Sequence, residues 1–224
     1  MLGIKRFWGR PKLSATAAGS PVPLSLHDVL KISGFKRLWL AQLVSILGDF
    51  LAVFGVINLI TFKWHGTHLQ VTNVMIAFII PMAVIGPLAG VFVDRWNVKR
   101  TMIISDLLRA ALILGLVFVT RLEQIYVLFF LMSTVSSFFG PSQSVTLRTL
   151  VPVNGLMSAN ALMSQAFYTM RIIAPASAAG LLVYWLGYNS CFYLDSASFF
   201  FSAAMLSTIA TARVNEFETS VHGI

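Results

Sequence analysis

Long apolar segments dominate this chain and limit what it can fold into. Six of them occupy residues 38–62, 71–93, 101–120, 125–147, 159–186 and 191–210. An α-helix rises ~1.5 Å per residue, so about 20 residues cross the ~30 Å hydrocarbon layer of a membrane. No alternation of period two runs through these segments, which argues against a β-barrel. The sequence therefore predicts an all-α polytopic membrane protein, a bundle of six transmembrane helices.

The composition agrees with a membrane location. Hydrophobic residues make up 57% of the 224 residues and charged residues only 11%, whereas an ordinary soluble domain has about 25% charged residues. The net charge of +8 does not indicate nucleic-acid binding, because no basic segment interleaves with exposed aromatic residues as a single-strand binder requires. The expected surroundings are therefore the lipid bilayer.

Lys and Arg residues are distributed unequally between the two sides of the predicted bundle. If the N-terminus is inside, the inner segments hold seven cations of the N-terminal tail together with Arg95, Lys99, Arg100, Arg148 and Arg213. The outer loops hold only Lys63 and Arg121. The positive-inside rule therefore predicts that both termini are cytoplasmic. The predicted organisation is a basic tail (1–37), a six-helix domain (38–210) and a second cytoplasmic tail (211–224).

The turn between the second and third segments interrupts the apolar pattern with charges. Residues 90–101 read GVFVDRWNVKRT, and the pattern G-x-x-x-D-R-x-x-x-K-R is filled by Gly90, Asp94, Arg95, Lys99 and Arg100. This turn resembles the signature of the major facilitator superfamily of transporters. Two positions depart from that signature, because Asn97 replaces a usual glycine and Val98 a usual basic residue.

Four further stretches carry the same resemblance. They are FKRLWLAQLVSILGDF at 35–50, FFGPSQSVTLRTLVP at 138–152, SANAL at 158–162 and RIIAPASAAGLL at 171–182. Together they are similar to the branch that contains the macrolide-efflux proteins and the enterobactin exporter. The similarity covers roughly residues 35–210.

Full transporters of this superfamily carry two six-helix halves around a central pathway, so the chain is identified as an N-terminal half. The resemblance implies a secondary active transporter that needs a second six-helix half or a homodimer partner, and no cofactor. It also implies proton-coupled efflux of amphipathic small molecules, such as drugs or siderophores, across a bacterial inner membrane. A membrane bundle without transport activity, with a structural or partner-binding role, is the alternative interpretation.

The resemblance also gives the charged turn a role. In this superfamily the aspartate of the turn faces a helix end in the other half, and the basic residues hold the inner gate. An acid near a helix N-terminus is favourable, which agrees with a gate role for Asp94. A loop that only fixed the orientation of the chain would need the basic residues but not the acid.

Five ionisable side chains lie within the predicted spans: Asp49, Asp106, Arg109, Arg171 and Asp195. Each costs at least ~2.5 kcal/mol if it faces lipid at the bilayer centre, so these side chains should point into the bundle. Asp106 and Arg109 are spaced i, i+3 and are expected to form an ion pair along one helix. Asp195 is close to the outer end of its segment and is expected to reach the interface.

Asp49 is the candidate proton-binding carboxylate. It lies about twelve residues, or ~18 Å, from the inner end of its helix, near the middle of the membrane. Arg171 has a comparable depth, so the two side chains could pair or share a cavity as a proton or substrate site. A buried polar anchor between helices is the alternative role for Asp49.

Prolines mark possible helix bends at Pro87, Pro141 and Pro175. A proline leaves a backbone carbonyl unpaired, so a bend is expected at each position. Ordinary close packing of helices at neighbouring small residues is the alternative explanation for these stretches.

The sequence offers no enzyme or metal site. His65 and His68 have no cysteine or carboxylate nearby, so a solvated loop explains them better than a metal site. The chain has no GxxxxGK[ST] phosphate-binding loop, so ATP is not expected to drive it directly. Cys191 is the only cysteine, which rules out an intrachain disulfide.

Overall fold

The computed structural model describes residues 22–93, 95–173 and 180–209. Eight α-helices account for most of these residues, and the described part of the chain contains no strand. The helices are α1 (Leu26–Lys31), α2 (Ser33–Asn58), α3 (His68–Val93), α4 (Val98–Gly115), α5 (Leu122–Leu150), α6 (Leu156–Ile173), α7 (Gly180–Leu186) and α8 (Asn189–Ser207). A π-helical turn, Leu59–Lys63, continues α2, and a 3-10 turn, Leu116–Phe118, continues α4.

Four of these helical stretches are long and apolar enough to cross a membrane: Ser33–Lys63, His68–Val93, Val98–Phe118 and Leu122–Leu150. They correspond to the first four predicted segments. The fifth segment contains α6, six residues outside the described part of the chain, and α7; the sixth corresponds to α8. The predicted all-α polytopic membrane bundle is confirmed.

The first transmembrane helix is longer than its apolar segment. α2 begins at Ser33 rather than at residue 38, and Phe35 is fully buried although Lys36 and Arg37 follow it. Hydropathy marks the part of a helix that lies in hydrocarbon, but a helix continues into the polar interface where its charged side chains can reach water.

The helix packing has an approximate internal two-fold symmetry, which relates the first three long helices to the last three. α2 packs against α8 and α6, α5 packs against α4 and α3, and α4 packs against α8. Exchanging α2, α3 and α4 for α5, α6 and α8 therefore converts each packed pair into another packed pair. α2 and α5 run in opposite directions, so the two triplets are related as an inverted repeat.

At each end of the bundle, a hydrogen bond joins parts of the chain that are distant in sequence. We call the end that carries Arg37, Lys99 and Arg148 the basic end. There the backbone N–H of Leu24 donates to the carbonyl oxygen of Asn154 over 3.1 Å, which holds the segment before α1 against the start of α6. At the opposite end, Lys63 donates to the hydroxyl group of Tyr188.

The apolar core is divided into two main clusters. The cluster towards the basic end includes Phe35, Met102 and Leu206, and the cluster towards the opposite end includes Ile113 and Phe192. The stretches of α2, α4 and α8 between these clusters carry most of the buried polar side chains. They are Ser45, Ser105, Asp106, Arg109, Asp195, Ser196, Ser198 and Ser202. A polar layer therefore crosses the middle of the bundle.

Prolines do not interrupt the helices that contain them. α3 runs through Pro81 and Pro87, and α5 runs through Pro141. Pro81, which was not predicted as a bend, is buried, and Ser133 of α5 donates to the carbonyl oxygen of Phe78 one turn before it. The bends at Pro87 and Pro141 stay predictions, and Pro175 lies outside the described residues.

Candidate functional site: a buried charge layer and an adjoining cavity

The i, i+3 spacing on α4 brings Asp106 and Arg109 together. Arg109 donates to one carboxylate oxygen of Asp106, and the other oxygen accepts a 2.6 Å hydrogen bond from the Ser202 hydroxyl group of α8. Asp106 is 0% exposed and Arg109 is 5% exposed. Both oxygens of the Asp106 carboxylate are therefore paired inside the bundle, as a buried charge requires.

Two aromatic rings enclose the guanidinium group of Arg109. Its central carbon lies 4.6 Å from the ring centre of Phe139 on α5 and 4.3 Å from that of Phe199 on α8. Such cation–π contacts are worth about 2 kcal/mol when they are desolvated. Arg109 therefore joins α4, α5 and α8, while its Nε atom has no hydrogen-bond partner among the described residues.

Asp195 was expected to reach the interface, but the structure shows it fully buried. One carboxylate oxygen accepts a 3.3 Å hydrogen bond from the Ser198 hydroxyl group, and the other has no partner in the described part of the chain. Asp195 lies two helical turns into α8, on the face that packs against α2. The expectation was wrong because position along a segment does not reveal which face of the helix a residue occupies.

α2 packs closely against α8 at Asp195, and this contact buries the Asp195 carboxylate. A Cβ atom at Gly48 would collide with the Asp195 carboxylate and the Ser198 hydroxyl group, and would lie 2.9 Å from Ser198 Cβ. Only a glycine fits at this position of α2. The neighbouring residue is Asp49, which the sequence analysis singled out.

Asp49 lies near these buried charges and is itself partly exposed. Its charged neighbours are Arg109 and Asp106, and Asp195 in turn interacts with Asp49 and Arg109. Arg109 is therefore the cation that acts electrostatically on three carboxyl groups, and of these it contacts Asp106 directly. We call Asp49, Asp106, Arg109 and Asp195 the charge layer. If all three acids were ionised, the layer would carry two negative charges more than positive charges.

Arg171 is not joined to Asp49. Its side chain is exposed on α6, and within the described residues no hydrogen bond or ion pair involves it. The structure therefore groups the carboxylate of the predicted pair with the charges of α4 and α8 and shows no direct contact between it and the arginine.

An adjoining cavity of about 260 Å³ lies between α2, α5 and α6. Its lining residues are Gln42, Ile46, Gln143, Met163, Ser164, Phe167 and Tyr168. Gln143 Nε2 donates to Gln42 Oε1 over 2.9 Å and so joins α5 to α2. These glutamines were not predicted as site residues, although the signal was in the sequence: two uncharged amides in otherwise apolar spans.

The charged turn is anchored to the bundle by residues that follow Asp94, and Asp94 itself lies outside the described residues. Asn97 caps α4 by accepting from the backbone N–H of Arg100 over 3.0 Å. Lys99 Nζ donates to the carbonyl oxygens of Ser207 and Ile209, each over 2.7 Å. A cation beside the unpaired carbonyls of a helix C-terminus is stabilising.

The other residues of the turn have different surroundings. Trp96 stacks on Phe138 of α5 with 5.8 Å between ring centres. Arg95 and Arg100 are exposed, and a Cβ atom at Gly90 would meet no described atom within 4 Å. Among the candidate gate residues that the structure describes, Lys99 makes the contacts to α8. The described residues include no group of three His, Cys, Asp or Glu side chains that could hold a metal ion.

The arrangement of inverted helix triplets around a buried charge layer is typical of a transporter domain. The family model for the Major Facilitator Superfamily matches residues 38–222. The chain belongs to the major facilitator superfamily. This is a family of transporters and not of enzymes, which agrees with the resemblance seen in residues 90–101.

Curated relatives within this superfamily include exporters. The chain is 33% identical to the uncharacterized MFS-type transporter YfiS of Bacillus subtilis over 173 residues, which cover 77% of this chain and 41% of that protein. It is 29% identical to the putative bacilysin exporter BacE of Bacillus subtilis over 73% of this chain and 42% of that protein. It is 27% identical to macrolide efflux protein A of Streptococcus pyogenes over 67% of this chain and 38% of that protein.

The chain thus spans about two-fifths of the length of these relatives. No solved structure gives a significant match to it.

Proposed function

We propose that this chain forms one half of a proton-coupled exporter of amphipathic small molecules in a bacterial inner membrane, with both termini in the cytoplasm. The names of two relatives, a putative bacilysin exporter and a macrolide efflux protein, support export. The single observation that carries proton coupling is the charge layer, in which one guanidinium group is the cation that acts on three carboxyl groups.

The charge imbalance of the layer favours proton uptake. An uncompensated charge inside a bundle costs several kcal/mol, so binding a proton to a carboxylate removes a large electrostatic penalty. Asp106 is held by Arg109 and Ser202, so fixed partners occupy both of its carboxylate oxygens. The exchangeable proton is therefore assigned to Asp49, the member of the layer that remains partly exposed.

Helical spacing also puts Asp49 on the face of α2 that lines the cavity. Gln42 and Ile46 line the cavity from α2, and Asp49 follows them at i+7 and i+3, on the same face of the helix. The same carboxyl group can therefore face the cavity and the charge layer. Protonation of Asp49 would weaken its attraction to Arg109 and couple the charge layer to the opening of the cavity.

A second half is required to enclose a transport pathway. α3 packs mainly against α5 and exposes Ile79, Ile80, Val84 and Leu88. A complementary six-helix half, or a second copy of this chain, would cover part of this surface and lipid would cover the rest. Gly90, Asp94, Arg95, Lys99 and Arg100 would form the cytoplasmic gate, with Asp94 facing a helix end of the other half.

Transport by vesicles that contain this chain and a complementary half tests the proposal. An imposed pH gradient should drive accumulation of a substrate from a panel of macrolides, siderophores, lipophilic carboxylates and lipophilic cations. Vesicles with the complementary half alone are the control. If no member of the panel moves in any assembly, the proposal is wrong and a bundle without transport activity is favoured.

A further inference from the structure

Arg171 is a charged residue within a membrane helix that no described side chain neutralises. Its side chain is exposed, and it lies two residues before the described end of α6. A charged side chain at this depth is costly in lipid, and such residues normally face a water-filled cavity or a partner. What Arg171 can bind therefore depends on which face of α6 it occupies.

Helical periodicity places Arg171 on the cavity wall. Ser164, Phe167 and Tyr168 line the cavity, and Arg171 follows them at i+7, i+4 and i+3. Residues with this spacing share one face of an α-helix. The buried residues of α6, such as Leu162 and Ala166, lie on the opposite side of the helix. Arg171 thus extends the lining of the cavity by one turn.

The register of α2 and α6 supports this placement. Trp39 Nε1 donates to the carbonyl oxygen of Leu162 over 3.2 Å, and the rings of Phe50 and Phe167 lie 5.9 Å apart. Both contacts advance along the two helices in the same direction, so α2 and α6 are parallel here. Arg171, one turn beyond Phe167, therefore lies beyond the lining formed by Gln42 and Ile46 and about one turn past the contact between Phe50 and Phe167.

None of the described residues that line the cavity is charged. Gln42, Gln143, Ser164 and Tyr168 supply uncharged hydrogen-bonding groups, while Ile46, Met163 and Phe167 supply apolar surface. Asp106 and Asp195 are buried on the other side of α2, against α4 and α8. Asp49 shares the cavity face of α2 with Gln42 and Ile46 but is not among the lining residues. The exposed cation at this wall is Arg171.

We propose that this cavity binds amphipathic molecules that carry a carboxylate, with the apolar part against Ile46 and Phe167 and the carboxylate on Arg171. A guanidinium group matches a carboxylate with two parallel hydrogen bonds, which gives both attraction and orientation. The amides of Gln42 and Gln143 can serve polar groups along the body of the molecule. This assignment of a substrate class rests on the proposed export function.

Binding of three probes that differ only at their polar group tests the assignment. The probes are 2-naphthylacetate, 2-naphthylacetamide and 2-naphthylethylammonium, measured by equilibrium dialysis against the full chain in nanodiscs of zwitterionic lipid. Empty nanodiscs give the membrane background. The acetate should bind about tenfold tighter than the acetamide, because a charge-assisted pair at Arg171 replaces a neutral hydrogen bond.

Substitution of the arginine separates its charge from its size. Arg171→Gln should remove about tenfold in affinity for the acetate and leave the acetamide unchanged, while Arg171→Lys should retain part of the preference. Arg148→Gln, at an exposed arginine at the basic end, should change neither. Equal affinity for the three probes, no binding of any probe, or an acetate affinity unchanged in Arg171→Gln would overturn the assignment.

Transport distinguishes this assignment from the export function itself. If pH-driven export of a lipophilic cation proceeds in the assembled transporter and is unchanged by Arg171→Gln, the substrate class is wrong and the export function stands. If the acetate probe binds through Arg171 but no assembly transports it or any other compound, the binding site stands and the export function is wrong. If Arg171→Gln instead abolishes assembly with the second half and leaves probe affinity unchanged, Arg171 is an interface residue and the assignment fails.

Discussion

Gly48 of α2 and Asp195 of α8 lie so close together that a side chain at position 48 would collide with the Asp195 carboxylate. This contact has two consequences. It closes the core around Asp195, which is fully buried and has one oxygen without a partner among the described residues. It also sets Asp49, the next residue of α2, at the edge of the charge layer.

The first prediction concerns this helix contact. Gly48→Ala should destabilise the protein by about 1–3 kcal/mol, because a methyl group forced into a packed site displaces its neighbours. Gly86→Ala is the matched control, since Gly86 also lies inside a helix but a Cβ atom there would meet nothing within 4 Å. Thermal unfolding in detergent measures both variants. Equal melting temperatures for the two variants would contradict the close approach of α2 and α8.

The second prediction concerns Arg109. Arg109→Met should destabilise the bundle by about 3–5 kcal/mol, because it leaves the Asp106 carboxylate buried without its cation. Arg148→Met, at an exposed arginine, should have little effect. The double variant Asp106→Asn with Arg109→Met should recover much of the lost stability, since both charges are then absent. Unfolding by denaturant measures the three variants, and a double variant no more stable than Arg109→Met would show that the ion pair is not the source of the effect.

The third prediction concerns orientation. In a protein with Cys191 replaced by alanine, Arg100→Cys should react with a membrane-impermeant maleimide only from the cytoplasmic side, and Thr120→Cys only from outside. Both positions are exposed, and they lie at opposite ends of α4 and its 3-10 extension. The physical reason is the excess of Lys and Arg at the basic end. The opposite labelling pattern would overturn both the orientation and the cytoplasmic gate.

The helices could be predicted from sequence because the bilayer imposes their length. Each apolar segment of about 20 residues has one low-energy solution in hydrocarbon, a helix that satisfies its own backbone hydrogen bonds. The ends were less certain, as at Ser33, because a helix continues into the interface after its apolar residues end.

The partners of the buried charges could be predicted only where they were local. Asp106 and Arg109 lie one turn apart on α4, so their spacing alone indicates contact. The hydrogen bond from Ser202, the contact of Gly48 with Asp195 and the pairing of Gln42 with Gln143 join different helices. Their formation depends on the rotation of each helix about its axis, which packing against its neighbours decides.

The central claim is that Asp49 carries the proton that drives transport. Asp49→Asn keeps the size of the side chain but cannot titrate. The decisive measurement compares two activities of the assembled transporter in the same vesicles: accumulation of substrate driven by an imposed pH gradient, and exchange of labelled for unlabelled substrate without a gradient. Asp28→Asn is the control, because Asp28 is an exposed carboxylate in α1, outside the charge layer.

If Asp49 is the proton carrier, Asp49→Asn should abolish gradient-driven accumulation and retain exchange, since the substrate pathway remains but the driving proton is lost. Asp28→Asn should retain both activities. Gradient-driven accumulation by Asp49→Asn at the rate of the parent protein would contradict the account.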